Sequence, residues 1–234
     1  MRKLPLYKTK GIVLLQRKAK EADKNVVLYT LNYGKMEFCA KGLRKIKSRL
    51  GAGLEPFTLT EIAFWWGERL AIIREAKIIH PYSEIKESLD LIEPASFIAK
   101  VVDRLTQQNH PDKDLFALII SSFLWLSEGG NPLIKPFFSL RLLSLLGLSP
   151  QMSQCVCCQK KREEAVGFSL ERGGLVCKLH NGNSFPISQQ VVHILNRLSS
   201  LSMATVKRIT IAPSLFCEFE EAINSYLTYQ ITAH

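Results

Sequence analysis

Hydrophobic residues follow two different patterns along the chain, and the change falls near residue 80. Before it they form short runs rich in Val, Ile, Phe, Trp and Tyr, parted by Gly, Asn, Asp and Lys, which is typical of β-strands. Asn32 and Gly34 indicate a tight turn between the second and third runs. The runs predict five strands, at 11–15, 26–31, 36–40, 57–66 and 70–73. Five strands at hairpin-like spacing favour a small closed or partly open barrel, and an OB-fold fits this number.

After residue 80 the apolar residues recur at intervals of three and four, which is the spacing of amphipathic helices. Proline near each start and glycine after two of the ends predict three helices, at 94–105, 115–126 and 133–146. Two more are predicted at 188–201, with Ser188 as the N-cap, and at about 214–229. Residues 207–212 are interpreted as a short strand.

Positive charge is concentrated in the first fifty residues. They contain 14 Lys and Arg against 3 Asp and Glu, a net charge of +11, whereas the rest of the chain has 17 against 18, a net charge of −1. This asymmetry points to a nucleic-acid or acidic-membrane partner for the N-terminal region, and to protein contacts for the neutral remainder. Five of the cations fall within residues 41–49, although an ordinary solvated loop would also explain such a run.

The candidate phosphate contacts are the cations in this loop and on the strands around it. They are Lys35, Lys41, Arg44, Lys45, Lys47 and Arg49, with Lys8, Lys10 and Arg17 extending the track over the barrel. Contacts of this kind carry little sequence information. Glu21 and Asp23 interrupt the basic stretch, either as turn residues or as partners that orient nearby cations.

Two adjacent tryptophans, Trp65 and Trp66, end the fourth predicted strand. Because neighbours on a strand point to opposite faces, one ring is expected in the barrel core and the other outside it. An exposed ring there is available for domain packing or for stacking on a base.

Four residues after the third helix have the spacing of a metal site. Two residues separate Cys155 from Cys158, and two separate Cys177 from His180, so each pair presents both side chains from one turn to a single ion. Three thiols and an imidazole predict a structural Zn²⁺ site, since four protein ligands leave no position for a reacting water. Cys157 is either a spare thiol or an alternative ligand. Burial of the cysteines as small apolar side chains is the competing interpretation.

Other chemistry has little support in the sequence. There is no glycine-rich phosphate loop with a Lys for nucleotide hydrolysis, and no His-x-Glu of the kind that zinc deaminases use. No small-molecule substrate is therefore expected. The most apolar run, 115–126, is too short to span a membrane, and residues 11–15 are too short for a signal peptide, so we expect a cytoplasmic, nucleoid-associated protein.

A series of short motifs, in a fixed order, resembles the RecO family of bacterial DNA-repair proteins. Each motif alone is modest, but their order along one chain of the usual length carries the resemblance. The motifs are 11–14, Glu21 with Asp23, Thr30 with 34–35, 40–42 continuing to 47–49, 54–57, 142–143, 146–147, Pro150, the CxxC pair, 168–169 and 173–174 before Cys177.

The resemblance agrees with the patterns in favouring an α+β protein. We expect a five-stranded OB-fold barrel at 1–80 that binds nucleic acid, a helical domain formed by 81–152 and 186–234, and an inserted zinc-binding lobe at 153–185. The resemblance further implies binding of single- and double-stranded DNA without enzymatic activity, and annealing of complementary strands. It also implies complex formation with RecR, binding to the C-terminal tail of single-strand-binding protein, and loading of RecA. The family's fourth ligand is usually Cys, whereas this chain has His180.

The tail of single-strand-binding protein is acidic and ends in a hydrophobic residue, so its site should combine an apolar groove with a cation. Arg141, between Leu140 and Leu142, is the candidate, although an Arg whose stem merely covers the core would look the same. Two other functions stay open at this level. They are an RNA-binding zinc-ribbon module without a repair role, and a zinc-dependent hydrolase or deaminase that acts on nucleic acid.

Overall fold

The computed structural model describes residues 5–19, 22–45, 48–161 and 165–233. The chain forms two compact units, Met1–Gly130 and Asn131–His234. Glu21 and Lys47, which the sequence singles out, lie outside the described residues. None of the helices in the described ranges combines the length and the apolar character needed to cross a membrane.

The first unit begins with five strands that close into a barrel, which confirms the predicted OB-fold architecture. The strands are β1 Tyr7–Lys18, β2 Lys24–Thr30, β3 Gly34–Ala40, β4 Leu59–Trp65 and β5 Ala71–His80. Their order around the barrel is β1-β2-β3-β5-β4. Four of the pairings are antiparallel, and β3 with β5 is parallel. β1 and β5 extend beyond the predicted runs through polar residues, such as Arg17 and Lys18 in β1 and Glu75 and Lys77 in β5, which pair with neighbouring strands.

The barrel core consists of inward-facing residues that match across neighbouring strands. Val13 pairs with Leu28 and Leu28 with Met36, and all three belong to one buried cluster. Phe38 and Phe64 add an edge-to-face aromatic contact at 5.1 Å between ring centroids. The core is therefore built by the period of two along each strand.

Three helices complete the first unit: α1 Ser83–Glu87, α2 Leu89–Leu105 and α3 Lys113–Ser127. Short α1 was not predicted. The predicted start of α2 at Pro94 is wrong, because the helix begins at Leu89 and Pro94 lies inside it. Pro94 is the sixth residue of the helix, so its missing N–H removes one backbone hydrogen bond beyond the first turn.

The helices cover the outer face of β1, β2 and β3. Ile12, Tyr29 and Lys35 match across these strands on the side away from the barrel core, yet they are only 0%, 1% and 8% exposed. The Lys35 ammonium donates to the backbone carbonyl of Asp103 in α2, and the backbone N–H of Asn109 donates to the Lys35 carbonyl at 3.0 Å. Burial raises the pKa of the Tyr29 hydroxyl to about 12. This is the face on which OB-folds commonly carry oligonucleotides, and here the protein itself occupies it.

Replacing Gly34 with Ala should destabilise the first unit by roughly 2–5 kcal/mol. Gly34 has φ +66°, and a Cβ there would lie 2.2 Å from the carbonyl oxygen of His110. The left-handed conformation costs an Ala about 1–2 kcal/mol, and displacing a packed neighbour costs about 1–3 kcal/mol more. Gly42 is the matched control, since it has φ +67° but only the flexible Lys45 side chain nearby, at 3.6 Å. Urea unfolding should show a clearly smaller loss for Gly42→Ala; equal losses would contradict the role of the His110 contact.

The second unit combines four helices with a small sheet. The helices are α4 Ile134–Leu145, α5 Gln189–Ser200, α6 Met203–Val206 and α7 Pro213–Ala233. The strands are β6 Ala165–Ser169, β7 Gly174–Cys177 and β8 Phe185–Pro186. Helices α4 and α5 both pack against α7, and the sheet has the order β7-β6-β8. The three long helices confirm the predicted ones. Ser188 caps α5 as predicted, because its hydroxyl accepts from the Val191 N–H at 3.3 Å.

The predicted strand at 207–212 is wrong. Short α6 precedes this stretch, and Ser202 caps it by accepting from the Thr205 N–H. The N–H groups of Lys207 and Arg208 then donate back to the carbonyls of α6. The backbone donors at the start of the stretch are therefore used by the end of a helix, and no strand partner is required.

Candidate nucleic-acid interface and metal centre

The basic loop, residues 41–49, is held against the β1–β2 hairpin. The Asp23 carboxylate accepts from the Gly42 N–H at 2.8 Å, and the Arg44 N–H donates to the Ala22 carbonyl at 3.1 Å. Leu43 is 8% exposed and belongs to the barrel core cluster. Asp23 therefore orients the loop backbone, which neither sequence interpretation of this residue proposed. The fold thus fixes the loop backbone to the barrel at Gly42 and Arg44.

The described cations of the basic loop are exposed at one end of the barrel. Lys41, Arg44, Lys45 and Arg49 are all exposed. Exposed Lys18 joins them, because it pairs with Lys24 in the β1–β2 hairpin, and Lys24 pairs with Ala40 at the start of the loop. Sequence reasoning did not include Lys18 among the candidate phosphate contacts. The hairpin register, once known, would have placed it here.

Lys35 and Arg17 are held inside the first unit by acidic groups. The Arg17 guanidinium contacts the Asp103 carboxylate at 2.6 Å and the Glu37 carboxylate at 3.3 Å. The ammonium of Lys35 lies 3.8 Å from the other oxygen of Asp103. Burial lowers the pKa of Lys35, and the Asp103 carboxylate opposes this effect. Lys35 is closed to phosphate by burial, and Arg17 is half-exposed but already paired twice.

Lys8 and Lys10 are exposed on β1, but the structure does not bring them together with the basic loop. Lys10 and Lys18 are eight positions apart, a span of up to about 26 Å along a strand. Lys10 pairs directly with Glu61 on β4, which offsets part of its charge. The sequence-predicted cations therefore divide into two separate groups on the barrel surface, plus the paired residues next to α2.

Neither tryptophan lies in the barrel core, so the prediction that one of the two rings lies there is wrong. Phe64 occupies the core position and is 0% exposed, whereas Trp66 is 44% exposed. Ile62 and Phe64 alternate into the core, but β4 ends at Trp65, so Trp66 lies beyond the strand and its ring remains exposed. Trp65 is half-buried, and the guanidinium carbon of Arg74 lies 4.5 Å from the centre of its ring.

The predicted metal ligands meet in the second unit. One donor atom from each of Cys155, Cys158, Cys177 and His180 lies within 4.8 Å of the others, so the cluster can hold a metal ion. The Sγ atoms of Cys158 and Cys177 are 3.6 Å apart. His180 Nδ1 lies 3.8 Å from the Cys155 Sγ and 3.2 Å from the Cys177 Sγ. The structure thus brings together all four residues that the spacing predicted.

Two tight turns supply these ligands. In the first, the Gln159 N–H donates to the Cys155 carbonyl at 2.9 Å. In the second, β7 ends at Cys177 and a short 3₁₀ turn continues to His180. Gly174 at the start of β7 is required by close packing, because a Cβ there would lie 2.6 Å from the Gln151 carbonyl oxygen. Each pair is therefore placed by its own turn, and the backbone packing between the two segments sets the distance between pairs.

Backbone donors prepare Cys155 to be a thiolate. Burial acts to raise the pKa of its thiol, but the N–H groups of Cys158, Cys157 and Cys177 point at the sulfur and bring the pKa to about 6. The Cys177 N–H donates to this sulfur at 3.4 Å. A thiolate is the form that binds metals. Cys157 is not in the cluster, since its sulfur contacts the guanidinium of Arg172 instead.

Arg141 lies on α4 and is half-buried. Its guanidinium donates to the Ser199 carbonyl at 3.1 Å and lies 5.8 Å from the centre of the Phe137 ring. Through these contacts Arg141 links α4 to the end of α5. An acidic peptide at this position would have to compete with the Ser199 carbonyl.

Comparison with known proteins places both parts of the chain in one group. The family model described as Recombination protein O N terminal matches residues 1–82, and the one described as Recombination protein O C terminal matches residues 87–234. DNA repair protein RecO of Thermodesulfovibrio yellowstonii is 34% identical, over 94% of this chain and 92% of its own length. DNA repair protein RecO of Desulforamulus reducens is 28% identical, over 97% of this chain and 91% of its own length.

Proposed function

The chain belongs to the RecO family of DNA repair and recombination proteins, and on that premise we propose that it is a non-enzymatic mediator that binds single-stranded DNA and anneals complementary strands. The observation that carries the proposal is the basic loop, whose backbone is fixed to the barrel at Gly42 and Arg44 while its described cations, Lys41, Arg44, Lys45 and Arg49, are exposed. A fixed base positions the charges before a strand arrives, so less conformational freedom is lost on binding.

The proposed interface is smaller than the set of cations that the sequence suggests. Its centre is the end of the barrel at which the basic loop and the β1–β2 hairpin meet. Lys35 drops out because it is buried, and Arg17 contributes little because two carboxylates already neutralise it. The proposed phosphate contacts are Lys18, Lys41, Arg44, Lys45 and Arg49, together with Lys47. Since the usual OB-fold face is closed by α2, the loop end of the barrel is where a strand is proposed to bind.

Annealing follows from electrostatics alone. Two DNA strands repel each other through their phosphates, and a dense cluster of exposed cations lowers that repulsion where the strands meet. Phosphate contacts are insensitive to sequence, so base pairing between the strands decides which ones anneal.

Zinc is the proposed metal, and its proposed role is structural. In a tetrahedral site with Zn–S of about 2.3 Å and Zn–N of about 2.0 Å, two sulfurs lie about 3.8 Å apart and a sulfur and a nitrogen about 3.5 Å apart. The Cys158–Cys177 distance of 3.6 Å and the His180 distances of 3.8 and 3.2 Å fall close to these values. Four protein ligands fill a tetrahedral ion, which supports a mediator over a zinc hydrolase.

The protein partners belong to the same proposal. The expected partners in this family are RecR and the C-terminal tail of single-strand-binding protein, and the expected outcome is RecA loading. The helical part of the chain is the proposed docking region, because residues 51–234 carry a net charge of only −1. Arg141 stays a proposed tail contact, which requires the tail carboxylates to displace the Ser199 carbonyl.

The decisive experiment measures annealing of complementary DNA oligonucleotides, with one strand fluorescently labelled, in the presence and absence of single-strand-binding protein. We expect the protein to accelerate annealing at low salt and to keep this activity on strands coated with single-strand-binding protein. If about six phosphates are contacted, log affinity for the single strand should fall against log salt with a slope near 4. Annealing of RNA strands of the same sequence is measured for comparison. A protein that fails to anneal DNA, or that acts only on RNA, would contradict the proposal.

A further inference from the structure

An aromatic cluster lies on the barrel at a site that the basic loop does not include. Trp66 follows β4, and its ring packs edge-to-face against Tyr7 and Tyr33, with centroids 6.2 Å away in both cases. It also packs against Phe64 at 5.6 Å. The Trp66 side chain is nevertheless 44% exposed, although Phe64 beneath it is fully buried.

The ring of Trp66 is held in place by its surroundings. Interplanar angles of 69°, 83° and 82° to Tyr7, Tyr33 and Phe64 show that three rings meet it nearly at right angles. Gly67 follows at once, and a Cβ there would lie 2.4 Å from the Leu70 carbonyl oxygen, so the loop turns tightly directly after the ring. A large aromatic surface that is both exposed and fixed binds a flat partner with little loss of freedom.

The position of the cluster is suited to nucleic acid. Trp66 begins the loop between β4 and β5, and in OB-folds this loop is one of the two that contact oligonucleotides. In the described part of this chain the strand face between those loops is closed by α2, so contacts at the rim gain importance. Tyr33, in the turn before β3, places the cluster at the opposite end of β3 from the basic loop.

Two exposed cations are close to the ring residues along the chain. Lys8 follows Tyr7 directly on β1, and Arg69 lies in the same short loop as Trp66, beside the acidic Glu68. Aromatic side chains bordered by cations are the combination that holds single strands, because bases stack on the rings while phosphates meet the charges.

From this arrangement we infer that Trp66, supported by Tyr7 and Tyr33, is a stacking site for an unpaired base of single-stranded DNA. The inference rests on the proposed DNA binding and deepens it. The basic loop attracts phosphates of single and double strands alike, whereas bases inside a duplex are already stacked and cannot reach Trp66. The aromatic cluster therefore supplies the preference for single strands that the basic loop lacks.

The test compares Trp66→Ala with wild type on three probes of equal length: an oligo(dT), an abasic strand with the same phosphates, and a duplex. Fluorescence anisotropy should show roughly 5- to 100-fold weaker binding of Trp66→Ala to oligo(dT). Binding to the abasic strand and to the duplex should be unchanged. Trp66→Phe should retain most of the affinity, because its ring still stacks.

Leu89→Ala is the matched control, since Leu89 is an 85% exposed apolar residue away from the barrel strands, and it should bind all three probes like wild type. Thermal melting of each variant shows whether the barrel is intact. Equal binding of oligo(dT) by wild type and by a folded Trp66→Ala would overturn the stacking site, and so would an equal loss on the abasic strand. A wild-type protein that binds none of the probes would instead overturn the proposed function itself.

Discussion

Replacing Cys155 with Ser is expected to release the metal and to lower the melting temperature by roughly 10 °C. Cys155 is 1% exposed and receives backbone N–H groups that favour its thiolate. Structural zinc contributes about 10–16 kcal/mol in small peptides. The strands around this site, β6, β7 and β8, are only 5, 4 and 2 residues long. Even a net loss of about 4 kcal/mol corresponds to about 8–16 °C in a chain of this size.

Elemental analysis and thermal melting check this expectation, with and without a strong chelator. Cys157→Ser is the matched control, because Cys157 sits between two ligands in sequence but its sulfur faces Arg172. It should keep one metal ion per chain. His180→Cys should also keep the ion, since a fourth thiolate is an equally good zinc ligand. If Cys155→Ser melts like wild type, or if the purified wild-type protein carries no metal and is unaffected by the chelator, the structural role of zinc is refuted.

The metal centre could be predicted from sequence because its information is local. In each pair two residues separate the ligands on one turn, and this spacing specifies how the two side chains converge, whatever the rest of the fold. Only the distance between the two pairs depends on contacts between segments that are distant in sequence, and the tight packing of Gly174 against Gln151 sets it. The five strands were predictable for a similar reason, since runs of β-forming residues parted by turns need no knowledge of their partners.

Which individual cations stay exposed could not be predicted from the sequence. Lys35 looked like a phosphate ligand next to a basic loop, but its ammonium bonds to Asp103, which is 68 residues further along the chain. Arg17 finds the same acidic residue 86 residues away. A charge count identifies which segment is basic, whereas pairing between distant residues decides which charges remain exposed. The composition of the first fifty residues therefore identifies the basic segment, but it also counts Lys35, which is buried, and Arg17, which is paired with two carboxylates.

The two tryptophans show that alternation predicts the direction of a side chain only within the strand. Ile62 and Phe64 alternate into the barrel core as expected, but β4 ends at Trp65, so the next inward position, that of Trp66, lies beyond the strand. The register shift between Ala63 and Phe64 comes from an extra residue, Arg74, on β5 and leaves the alternation of β4 intact. Where a strand ends depends on its pairing partners, so the exposure of Trp66 could not be predicted from the sequence.

Replacing Lys41, Lys45 and Arg49 together with Ala is expected to weaken binding of single-stranded DNA by about a hundredfold at 0.1 M salt. Each phosphate contact contributes about 0.7 to the slope of log affinity against log salt for single strands, so three lost contacts should lower the slope by about 2. If both proteins bind equally at 1 M salt, a slope difference of 2 gives a hundredfold at 0.1 M. The barrel should stay folded, because all three side chains are exposed and the backbone bonds from Gly42 and Arg44 do not involve them.

The control must remove the same net charge from another part of the first unit. Lys100, Arg104 and Lys113 serve this purpose, since they are exposed on α2 and at the start of α3. Their triple Ala variant should lose only the weak long-range attraction that any cation exerts, and its salt slope should stay close to that of wild type. Equal slopes in wild type and the loop variant would remove the basic loop from the interface. Equal reductions in the two variants would mean that net charge, and not the fixed position of this loop, governs binding.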